Sequence, residues 1–425
     1  IFFCFKTNAF CTFTTMNLLY NVVVCITSWL LPIVALFNKK IKLFVRGRKE
    51  SFSKITELKN AKTIWFHVAS LGEFEQARPI IEEIRNTHSE YKILVTFFSP
   101  SGYEIRKNYT LADVVCYLPL DSESNVRKFV KEVNPVMVLF IKYEFWPNLL
   151  NELKKKEIKT ILVSGILRKN QIFFKYYGGF MRRSLQAFHH FFVQDITSKE
   201  LLNSINFSSV TVSGDTRFDR VLKLLSEENT PDFISDFKNN QYTVVAGSTW
   251  KEDEELLVNY IINKASAKEK FIIAPHNIEK DAILKLQEAL HNKAILFSEK
   301  EGKKLSEYKV LIIDTIGILT KIYPAADAAY VGGGLRTGLH NILEPATFGI
   351  PIVIGNQYKK FKEAVDLVAL KGCISISNQE EFSSIFIKLY HDENYRKTIG
   401  EMNKQYIQQN PGATRLIMNY LKTTL

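Results

Sequence analysis

Glu73, Glu144 and Arg217 are charged residues that follow apolar segments, and they are the first candidates for chemistry. They occur in "HVASLGEFEQARPI" (67–80), "IKYEFWPNLL" (141–150) and "SGDTRFDR" (213–220). A carboxylate at the end of a buried strand either forms a structural ion pair or faces a ligand, because ligands bind at the carboxyl ends of parallel strands. None of the three is diagnostic alone.

Glu73 also has a simple structural explanation. Ser70 and Glu73 have the S-x-x-E spacing of a capping box, whose side chains accept hydrogen bonds from exposed N–H groups at a helix start. The stretch predicts a helix that begins near Ser70 and leaves open whether Glu73 caps it or does chemistry. Both roles are compatible, because a helix start holds a carboxylate rigidly and favours its ionised form. Ser70 and Gly72 would shape the turn that aims Glu73.

Residues 331–355, "VGGGLRTGLHNILEPATFGIPIVIG", are the most informative stretch of the second half. Gly333 and Gly334 follow a predicted strand, where glycine lets the backbone turn sharply and approach a ligand closely. Asn341 precedes a predicted helix, whose free N–H groups favour an anion such as phosphate. Glu344 in the first turn would repel phosphate unless it accepts hydrogen bonds from ribose hydroxyls. A tight turn followed by a helix cap explains these residues equally well.

Three further polar loops follow predicted strands of this half. They are "AGSTWKEDEELL" (246–257), "APHNIEK" (274–280) and "DTIGILTKIYPAAD" (314–327). Each alone is more often a helix cap than a site, but all three fall where a ligand would be held. No metal is indicated, because D-x-D, H-E-x-x-H and dense His or Cys clusters are absent. The absence of G-x-S-x-G argues against a serine hydrolase.

Short apolar runs alternate with amphipathic, charged stretches along most of the chain. The predicted buried strands are 63–69, 92–98, 113–119, 135–141, 159–165, 189–195 and 209–215, then 242–248, 270–276, 294–298, 309–315, 328–334 and 350–355. Such alternation predicts parallel sheets with helices on both faces. A polar stretch, 222–240, interrupts the rhythm. We therefore expect an α/β protein with two Rossmann-like doubly wound domains, 50–221 and 241–425, which are joined by the linker 222–240 and face a cleft.

An uncharged apolar segment, residues 17–37, precedes the basic stretch "KKIKLFVRGRK" (39–49). As a helix this segment would be about 30 Å long, enough to span a bilayer, and basic flanks stay on the cytoplasmic side. We expect residues 16–49 to form a membrane anchor that spans the membrane or lies in its interface. A buried helix of a soluble domain and a cleaved signal peptide are the alternatives. Residues 1–15 precede the first methionine, and we interpret them as an upstream or non-native segment.

The chain has 425 residues, a formal net charge of +12 and five scattered cysteines. The charge suits nucleic acid, an anionic membrane surface or an anionic substrate. Because the densest basic cluster adjoins the apolar segment and no RNA-binding signature occurs, we expect no nucleic-acid partner. Cysteines without a C-x-x-C pair indicate reduced or buried thiols in a reducing compartment.

Taken together, the motifs resemble those of the 3-deoxy-D-manno-octulosonic acid (Kdo) transferases of lipopolysaccharide synthesis. The similar motifs are, in order, "HVASLGE", "YEFWPN", "GDTRFD", "AGSTWKEDE", "DTIGIL" and "GGGLRTGLHNILEPATFGIPIVIG", over about residues 16–420. The resemblance implies a GT-B fold with an N-terminal membrane-associated helix, and neither metal nor cofactor. It also implies inverting transfer of Kdo from CMP-Kdo to the lipid A precursor, lipid IVA, at the cytoplasmic face of the inner membrane. The implied partners are CMP-Kdo, the lipid A precursor and inner-membrane lipids.

The family's functional residues map onto this chain through the same motifs. The resemblance implies that Glu73 is the catalytic base, which takes the proton from the attacking hydroxyl. It implies that Glu144 and Arg217 support the transition state. The implied CMP-binding residues are Pro275, His276, Ile316, Gly317, Ile318, Asn341, Ile342, Leu343 and Glu344, and the strand-end loops add Ser248, Thr249, Gly333 and Gly334. Ser70 and Gly72 complete the substrate site beside Glu73.

The chain departs from the family pattern at three places. Arg217 replaces the usual lysine, which changes a point donor into a planar fork. The family's P-R-H is Pro275-His276-Asn277 here, so an arginine is missing, and the usual N-x-R is absent near Arg168. These differences affect ligand contacts more than the reaction class.

Two other functional classes stay open on the sequence alone. Another nucleotide-sugar enzyme of the GT-B type, a glycosyltransferase or an epimerase, would have the same two-domain pattern. A membrane-tethered, basic nucleic-acid-binding protein would have the same charge.

Overall fold

The alternating pattern of the sequence folds into two parallel sheets, each in its own compact unit. In the computed structural model, residues 2–226, 230–336 and 338–425 are described, with the side chains of residues 2–14 excepted. One unit comprises residues 1–220 and 411–425, and the other comprises residues 221–410. The predicted α/β architecture with two doubly wound sheets is therefore confirmed.

The first unit is built on a seven-stranded parallel sheet in the order β3-β2-β1-β4-β5-β6-β7. Its strands are β1 (Thr63–Val68), β2 (Lys92–Phe97), β3 (Val114–Tyr117), β4 (Met137–Ile141), β5 (Lys159–Gly165), β6 (His190–Val193) and β7 (Val210–Val212). Every residue of β1, β3 and β4 is buried, as expected where helices cover both faces. The strand order reverses direction between β1 and β4, which is where such sheets bind ligands.

Helices cover the faces of this sheet through apolar residues at helical spacing. The helices are α1 (Phe2–Val34), α2 (Lys39–Lys54), α3 (Leu71–Thr87), α4 (Pro100–Arg106), α5 (Glu123–Val133), α6 (Pro147–Lys155), α7 (Gly179–Leu185), α8 (Ile196–Asn203), α9 (Arg217–Lys223) and, by the numbering of the whole chain, α18 (Ala413–Lys422). In α5, for example, Val126, Phe129, Val130 and Val133 are buried, so one stripe faces the core.

The C-terminal helix α18 differs from the predicted division of the chain. Its residues Ile417, Met418 and Leu421 are buried in the same core as Phe74 of α3. Asp219 accepts hydrogen bonds from the N–H groups of Gly412 (2.5 Å) and Thr414 (2.7 Å), which fixes the start of the helix. Residues 411–425 therefore belong to the first unit, although the sequence analysis assigned them to the second domain.

The predicted anchor helix and its basic flank, residues 16–49, lie in two helices, α1 and α2. The Thr15–Val34 part of α1 is long and apolar enough to cross a membrane, by length and composition only, and none of its residues is buried. Residues 35–38 separate the two helices. Asn38 is the N-cap residue of α2, because its side chain accepts a hydrogen bond from Ile41 N (3.1 Å). A membrane location stays a prediction, as does the interpretation of residues 1–15; residue 1 and the side chains of 2–14 lie outside the described residues.

Polar side chains attach α1 to the first unit. The Tyr20 hydroxyl donates to Asp121 Oδ2 (2.7 Å), and Asn148 Nδ2 donates to Asn21 Oδ1 (2.7 Å). Asp121 also accepts from the N–H groups of Asn148 (3.0 Å) and Leu149 (2.9 Å) at the start of α6. The apolar helix is thus tied to the segment that carries the W-P-N motif.

The second unit has a seven-stranded parallel sheet in the order β10-β11-β9-β8-β12-β13-β14. Its strands are β8 (Tyr242–Thr249), β9 (Glu269–Pro275), β10 (Ala294–Leu296), β11 (Val310–Ile312), β12 (Ala328–Val331), β13 (Ile352–Gly355) and β14 (Cys373–Ile376). Its helices are α10 (Asp232–Lys238), α11 (Lys251–Asn263), α12 (Lys280–Ala289), α13 (Leu319–Ile322), α14 (Leu343–Thr347), α15 (Lys362–Ala369), α16 (Gln379–His391) and α17 (Glu393–Gln409). The strand order reverses between β8 and β12.

The segment predicted as a linker, 222–240, contains ordered structure. Helix α10 buries Ile234 and Phe237 in the core of the second unit. Lys238 Nζ donates to Asp327 Oδ2 (2.9 Å) before β12. The predicted linker therefore includes a helix of the second unit, and residues 227–229 of it lie outside the described residues.

Candidate active site

Glu73 lies in the first turn of α3, beside the carboxyl end of β1. Its Oε2 accepts a short hydrogen bond from the main-chain N–H of Ala69 (2.5 Å). Ser70 is the N-cap residue, but its side chain makes no capping hydrogen bond to the described residues. The predicted reciprocal capping box is therefore wrong in its serine half, because only the glutamate reaches back to the chain before the helix. Glu73 is held in place while Ser70 stays available.

The surroundings of Glu73 disfavour its charged form, so the expectation that the helix start would keep it ionised is wrong. The side chain is only 4% exposed, and burial, followed by the charge of Glu144, raises its pKa to about 8. Hydrogen bonds from Ala69 and Ser70 and the charge of Lys142 oppose this shift without cancelling it. A carboxylate with a pKa near neutral pH is suited to accept a proton and later release it.

Glu144 lies in the loop after β4, across the reversal point from Glu73. The indole N–H of Trp146 donates to Glu144 Oε2 (3.0 Å) and is shared with Nε2 of His67 (3.2 Å). His67 is fully buried in β1, and its Nδ1 lies 2.9 Å from the hydroxyl of Thr96 on β2. The network therefore fixes the position of Glu144 from three neighbouring strands.

The loop before Glu144 adds Lys142 and Tyr143 to the site predicted from the sequence, and Arg168 after β5 lies near them. Lys142 has a φ of 69°, a left-handed conformation that is strained for a side chain of this size. Burial raises the pKa of Tyr143, the charges of Glu73 and Glu144 add to the shift, and Arg168 opposes it. Tyr143 thus lies within electrostatic range of the candidate base, and Arg168 lies within range of Tyr143. Their signal in the sequence was their place at the ends of β4 and β5.

Arg217 begins α9 and forms a fork on a buried carboxylate. Its Nε (3.0 Å) and one terminal nitrogen (2.7 Å) both donate to Asp215 Oδ2. Burial would raise the pKa of Asp215, but the adjacent Arg217 guanidinium and the amide of Gln76 hold it below its usual value. Gln76 lies one turn after Glu73 on α3, and its carbonyl accepts from Thr216 Oγ1 (2.6 Å). Arg217 is therefore anchored beside α3.

Gly72 leaves open space next to Glu73. A Cβ atom added at Gly72 would meet no heavy atom within 4 Å. The residue is exposed, so a substrate can approach the helix start beside the buried carboxylate. The predicted site residues of the first unit, Ser70, Gly72, Glu73, Glu144 and Arg217, thus gather at the carboxyl edge of one sheet.

In the second unit, the glycine turn after β12 packs against the end of β8. A Cβ at Gly332 would lie 2.4 Å from the carbonyl oxygen of Ser248, and Gly333 has a φ of 87°. Both positions therefore require glycine. Asp253 of α11 ties the two segments together, because its Oδ2 accepts from the N–H groups of Trp250 (2.9 Å) and Gly333 (2.9 Å).

Three rings stack at the same edge of this sheet. The ring of His276 lies 4.7 Å from that of Trp250 and 4.3 Å from that of His340. Trp250 Nε1 donates to Nε2 of His340 (3.0 Å), and burial, with the nearby His276, lowers the pKa of His340 to about 4. His340 is therefore neutral at pH 7 and carries its proton on Nδ1. Trp250 and His340 are additions to the predicted site.

Glu344 links the predicted segment 341–344 to α13, which directly follows residues 316–318. Its Oε2 accepts from Thr320 Oγ1 (2.8 Å) on α13, and its Oε1 accepts from Asn341 Nδ2 (3.1 Å). Asn341 Oδ1 accepts from Leu343 N (3.2 Å), so one of the N–H groups predicted to hold an anion is already used. Each oxygen of Glu344 has a further lone pair that a ribose hydroxyl could use.

Not every predicted residue can contact a ligand through its side chain. Ile342 and Leu343 are fully buried, so they offer only main-chain groups. Ser248 has a φ of 52° at a bulge between β8 and β9, and Thr249 O accepts from His276 N (2.8 Å). This hydrogen bond brings Ser248 and Thr249 beside Pro275 and His276. Gly317, with a φ of 97°, leads into α13, which packs over the end of β8.

A family model described as "3-Deoxy-D-manno-octulosonic-acid transferase (kdotransferase)" matches residues 46–220, which hold the whole first-unit site. A 3-deoxy-D-manno-octulosonic acid transferase of Chlamydia trachomatis is 27% identical over 376 residues, covering 85% of this chain and 86% of that protein. The chain is related to the Kdo transferases. It is thus an enzyme of the glycosyltransferase class.

Two further comparisons extend this relationship. A bifunctional glycosyltransferase/methyltransferase of Fusobacterium nucleatum is 24% identical over 403 residues, which are 91% of this chain. The chain spans 62% of the length of that relative. The crystal structure of UDP-GlcNAc 2-epimerase from Neisseria meningitidis aligns with 85% of this chain and all of its own, with a TM-score of 0.60 and 14% identity. At that identity the likeness concerns the fold alone, and it supports the predicted GT-B architecture.

The chain departs from the Kdo-transferase pattern at Arg217, at Asn277 and near Arg168. Arg217 stands where the family has lysine, and its fork on Asp215 uses a geometry that a lysine cannot form. Asn277 stands where the family has arginine, and it is exposed. Arg168, near the absent N-x-R, acts on Tyr143 of the site. The departures therefore leave Glu73 and Glu144 unchanged.

Proposed function

We propose that this enzyme is an inverting Kdo transferase that moves Kdo from CMP-Kdo to the lipid A precursor, lipid IVA. The observation that carries the proposal is the pair of carboxylates, Glu73 and Glu144, at the reversal point of the sheet whose residues match the Kdo-transferase family. A buried base with a raised pKa fits a reaction in which a hydroxyl must lose its proton during attack.

In the proposed reaction, an acceptor hydroxyl attacks the anomeric carbon of Kdo from the face opposite CMP. A new carbon–oxygen bond forms, the bond from the anomeric carbon to the phosphate oxygen breaks, and CMP leaves with that electron pair. Glu73 takes the proton of the attacking hydroxyl. One displacement inverts the anomeric configuration. The open space beside Gly72 supports the approach of the acceptor to Glu73.

Glu144 and Arg217 are proposed to support the transition state. Glu144 is fixed by the indole of Trp146, so its negative charge can face positive charge that develops on the sugar ring. Arg217 supplies a positive charge for the carboxylate of Kdo. Its fork on Asp215 holds the guanidinium in one orientation, which supports a positioning role.

The second unit is proposed to bind the CMP part of the donor. The turn at Gly333 and Gly334 lets the main chain approach a phosphate closely, and Glu344 offers acceptors to ribose hydroxyls. Neutral His340 has an Nδ1–H group to donate at this edge of the sheet. We propose that neither metal nor cofactor takes part, as the family resemblance implies.

We propose that the enzyme works at the cytoplasmic face of the inner membrane. The apolar part of α1 and the exposed lysines of α2 support this location. An anionic surface attracts such a basic segment by about 1 kcal/mol per lysine or arginine.

The direct test is to incubate the purified full chain with CMP-Kdo and lipid IVA, with and without a metal chelator, and to analyse the lipid by mass spectrometry. We expect Kdo to be added to the lipid in both conditions, and the products also count the units transferred. A lipid of unchanged mass, together with turnover of UDP-GlcNAc, would instead identify another nucleotide-sugar enzyme. Salt-sensitive RNA binding without affinity for CMP would favour the nucleic-acid alternative.

A further inference from the structure

A cavity of about 220 Å³ lies where α1, α2 and the loop after β3 meet. Its walls are mainly apolar, with Leu31 and Pro32 from α1, Val45 and Phe52 from α2, and Leu120 from the loop. Arg48 of α2 also lines it, and we call it the Arg48 pocket. None of the residues proposed for Kdo transfer lines this pocket, so it is a separate feature of the first unit.

Arg48 is a buried cation without an anionic partner in the described part of the chain. Its side chain is 8% exposed. Its terminal nitrogens donate to the carbonyl oxygens of Phe44 (3.2 Å) and Phe98 (3.0 Å), and its buried Nε has no partner among the described residues. The guanidinium carbon lies 3.4 Å from the centre of the Phe44 ring. A buried charge is normally paired, so a guanidinium held only by carbonyls and a ring indicates a place for an anion.

The remaining surroundings of Arg48 do not compensate its charge. Burial lowers its pKa to about 9, and among the described residues the charge effect that raises this pKa comes from the Tyr117 hydroxyl rather than from a carboxylate. An arginine at this pKa is still cationic at pH 7. Guanidinium groups bind phosphate through parallel N–H groups, which makes phosphate a matching anion.

The size and walls of the pocket restrict its ligand. Pockets for drug-sized ligands have volumes of about 300–1,000 Å³, and this one is smaller. It can take one phosphate and the first atoms attached to it, while the rest of a longer ligand would extend out of the pocket. Because the walls are apolar, the group attached to the phosphate should be apolar too, as in a glycerophospholipid.

The surface next to the pocket suits a membrane. Leu36 and Phe37, in the turn between α1 and α2, are 78% and 87% exposed. Lys39, Lys40 and Lys42 follow them and are exposed as well. Apolar side chains beside lysines are typical of a segment that lies at an anionic membrane surface.

We propose that the Arg48 pocket binds the phosphate head of an anionic glycerophospholipid, whose acyl chains leave along α1 past Leu31 and Pro32. This inference rests on the proposed membrane location but not on the transfer of Kdo. The lipid phosphate pairs with Arg48, while exposed Lys49 at the pocket binds the outer oxygens. The lipid would hold the α1–α2 junction at the membrane surface in a fixed orientation.

The test measures retention of palmitoyl-oleoyl-phosphatidylglycerol by the full chain in detergent micelles, using native mass spectrometry. We expect one tightly held lipid. Arg48→Gln should weaken binding by about tenfold or more, because a charge-assisted hydrogen bond is lost. Val45→Phe fills the pocket without changing any charge and should weaken binding similarly, so the test does not depend on how well Arg48→Gln folds. Arg46→Gln, an exposed arginine on the same helix that does not line the pocket, is the matched control and should change binding less than about twofold.

Several results would overturn the proposal. Equal losses in Arg46→Gln and Arg48→Gln would mean that lipid is attracted by surface charge alone. Binding of inorganic phosphate as tightly as phosphatidylglycerol would mean a site for the free ion. Displacement of phosphatidylglycerol by lipid IVA, with a raised KM for lipid IVA in Arg48→Gln, would assign the pocket to the acceptor. The measurement needs no CMP-Kdo, so its failure can be told apart from a failure of the transfer reaction.

Discussion

Glu144 lies close enough to Glu73 for its charge to add to the effect of burial and raise the pKa of Glu73 to about 8. The two residues follow β1 and β4, which are neighbours at the reversal point of the first sheet. Two carboxylates in one crevice resist simultaneous ionisation, so one tends to hold a proton. This relationship is the basis for the role of Glu73 as a base near neutral pH.

The rate of transfer should rise with pH through about 8. The folded-state pKa of Glu73 is raised from 4.5, so the base becomes available only as pH approaches that raised value. Glu144→Gln removes a charge that raises this pKa and should shift the rising limb to lower pH, while kcat falls. The measurement is kcat/KM between pH 5.5 and 9.5, with Glu90→Gln, an exposed carboxylate, as the control. An unshifted profile in Glu144→Gln would contradict the coupling.

Trp146→Phe should lower kcat while keeping the fold. The indole N–H that holds Glu144 is lost (3.0 Å), but a phenyl ring can still stack on Phe98, whose ring centre lies 4.7 Å from that of Trp146. A hydrogen bond to a charged group contributes about 1.5–3 kcal/mol, so we expect kcat to fall about tenfold or more. Thermal unfolding checks the fold. A normal kcat with normal stability would mean that Glu144 needs no such support.

Substitutions of Arg217 should separate its structural role from its charge. Arg217→Ala leaves the buried Asp215 carboxylate without its cation, and we expect the free energy of unfolding to fall by about 3–5 kcal/mol. Arg217→Lys restores the residue typical of the family but loses the fork, so it should cost about 1 kcal/mol and keep most activity. Denaturant unfolding and kcat are measured on both variants. Equal unfolding free energies for Arg217→Ala and Arg217→Lys would contradict the view that Asp215 needs a positive charge beside it.

The sequence predicted the strand ends that carry the site, because buried parallel strands are continuous apolar runs and Glu73, Glu144 and the glycines follow them directly. It could not predict that Trp146 would reach His67, since that contact depends on β1 and β4 being neighbours. The serine half of the capping box was wrong, because the Ser70 side chain makes no capping hydrogen bond to the described residues. The spacing of apolar residues along the chain does not determine which side chains meet across neighbouring strands.

Two misplaced elements have similar explanations. Strand β14 was missed because Cys373–Ile376 is a short edge strand with half-buried residues. Helix α18 was assigned to the wrong unit because its apolar stripe fits any sheet face. In the structure, Asp219 accepts hydrogen bonds at its start and its apolar residues pack with Phe74, which places it in the first unit. The burial of Arg48 could not be predicted from the sequence, because it lies in a stretch of basic residues whose other members are mostly exposed.

Asp253→Asn should weaken CMP binding by disturbing the glycine turn. Asp253 accepts from Trp250 N and Gly333 N through Oδ2 and from the hydroxyl of Tyr330 (2.6 Å) through Oδ1, whereas asparagine has one acceptor oxygen, so its NH2 group must replace an acceptor at one of these positions. We expect a loss of about 2 kcal/mol in unfolding free energy together with lower affinity in a CMP titration. Tyr330→Phe removes only the hydroxyl bond and is the matched control, with near-normal CMP affinity. Equal affinities in the two variants would show that the turn is not part of the nucleotide site.

The most direct test of the account is the transfer rate of Glu73→Gln under single-turnover conditions, measured with CMP-Kdo and lipid IVA beside a CMP titration of the same protein. Glutamine keeps the size of the side chain and can still accept from Ala69 N, but it cannot take a proton. The account predicts normal CMP affinity and a transfer rate at least about a hundredfold lower, because general-base catalysis contributes about 10²–10⁴. Transfer at a near-normal rate by a folded, CMP-binding Glu73→Gln would contradict the assignment of Glu73 as the base.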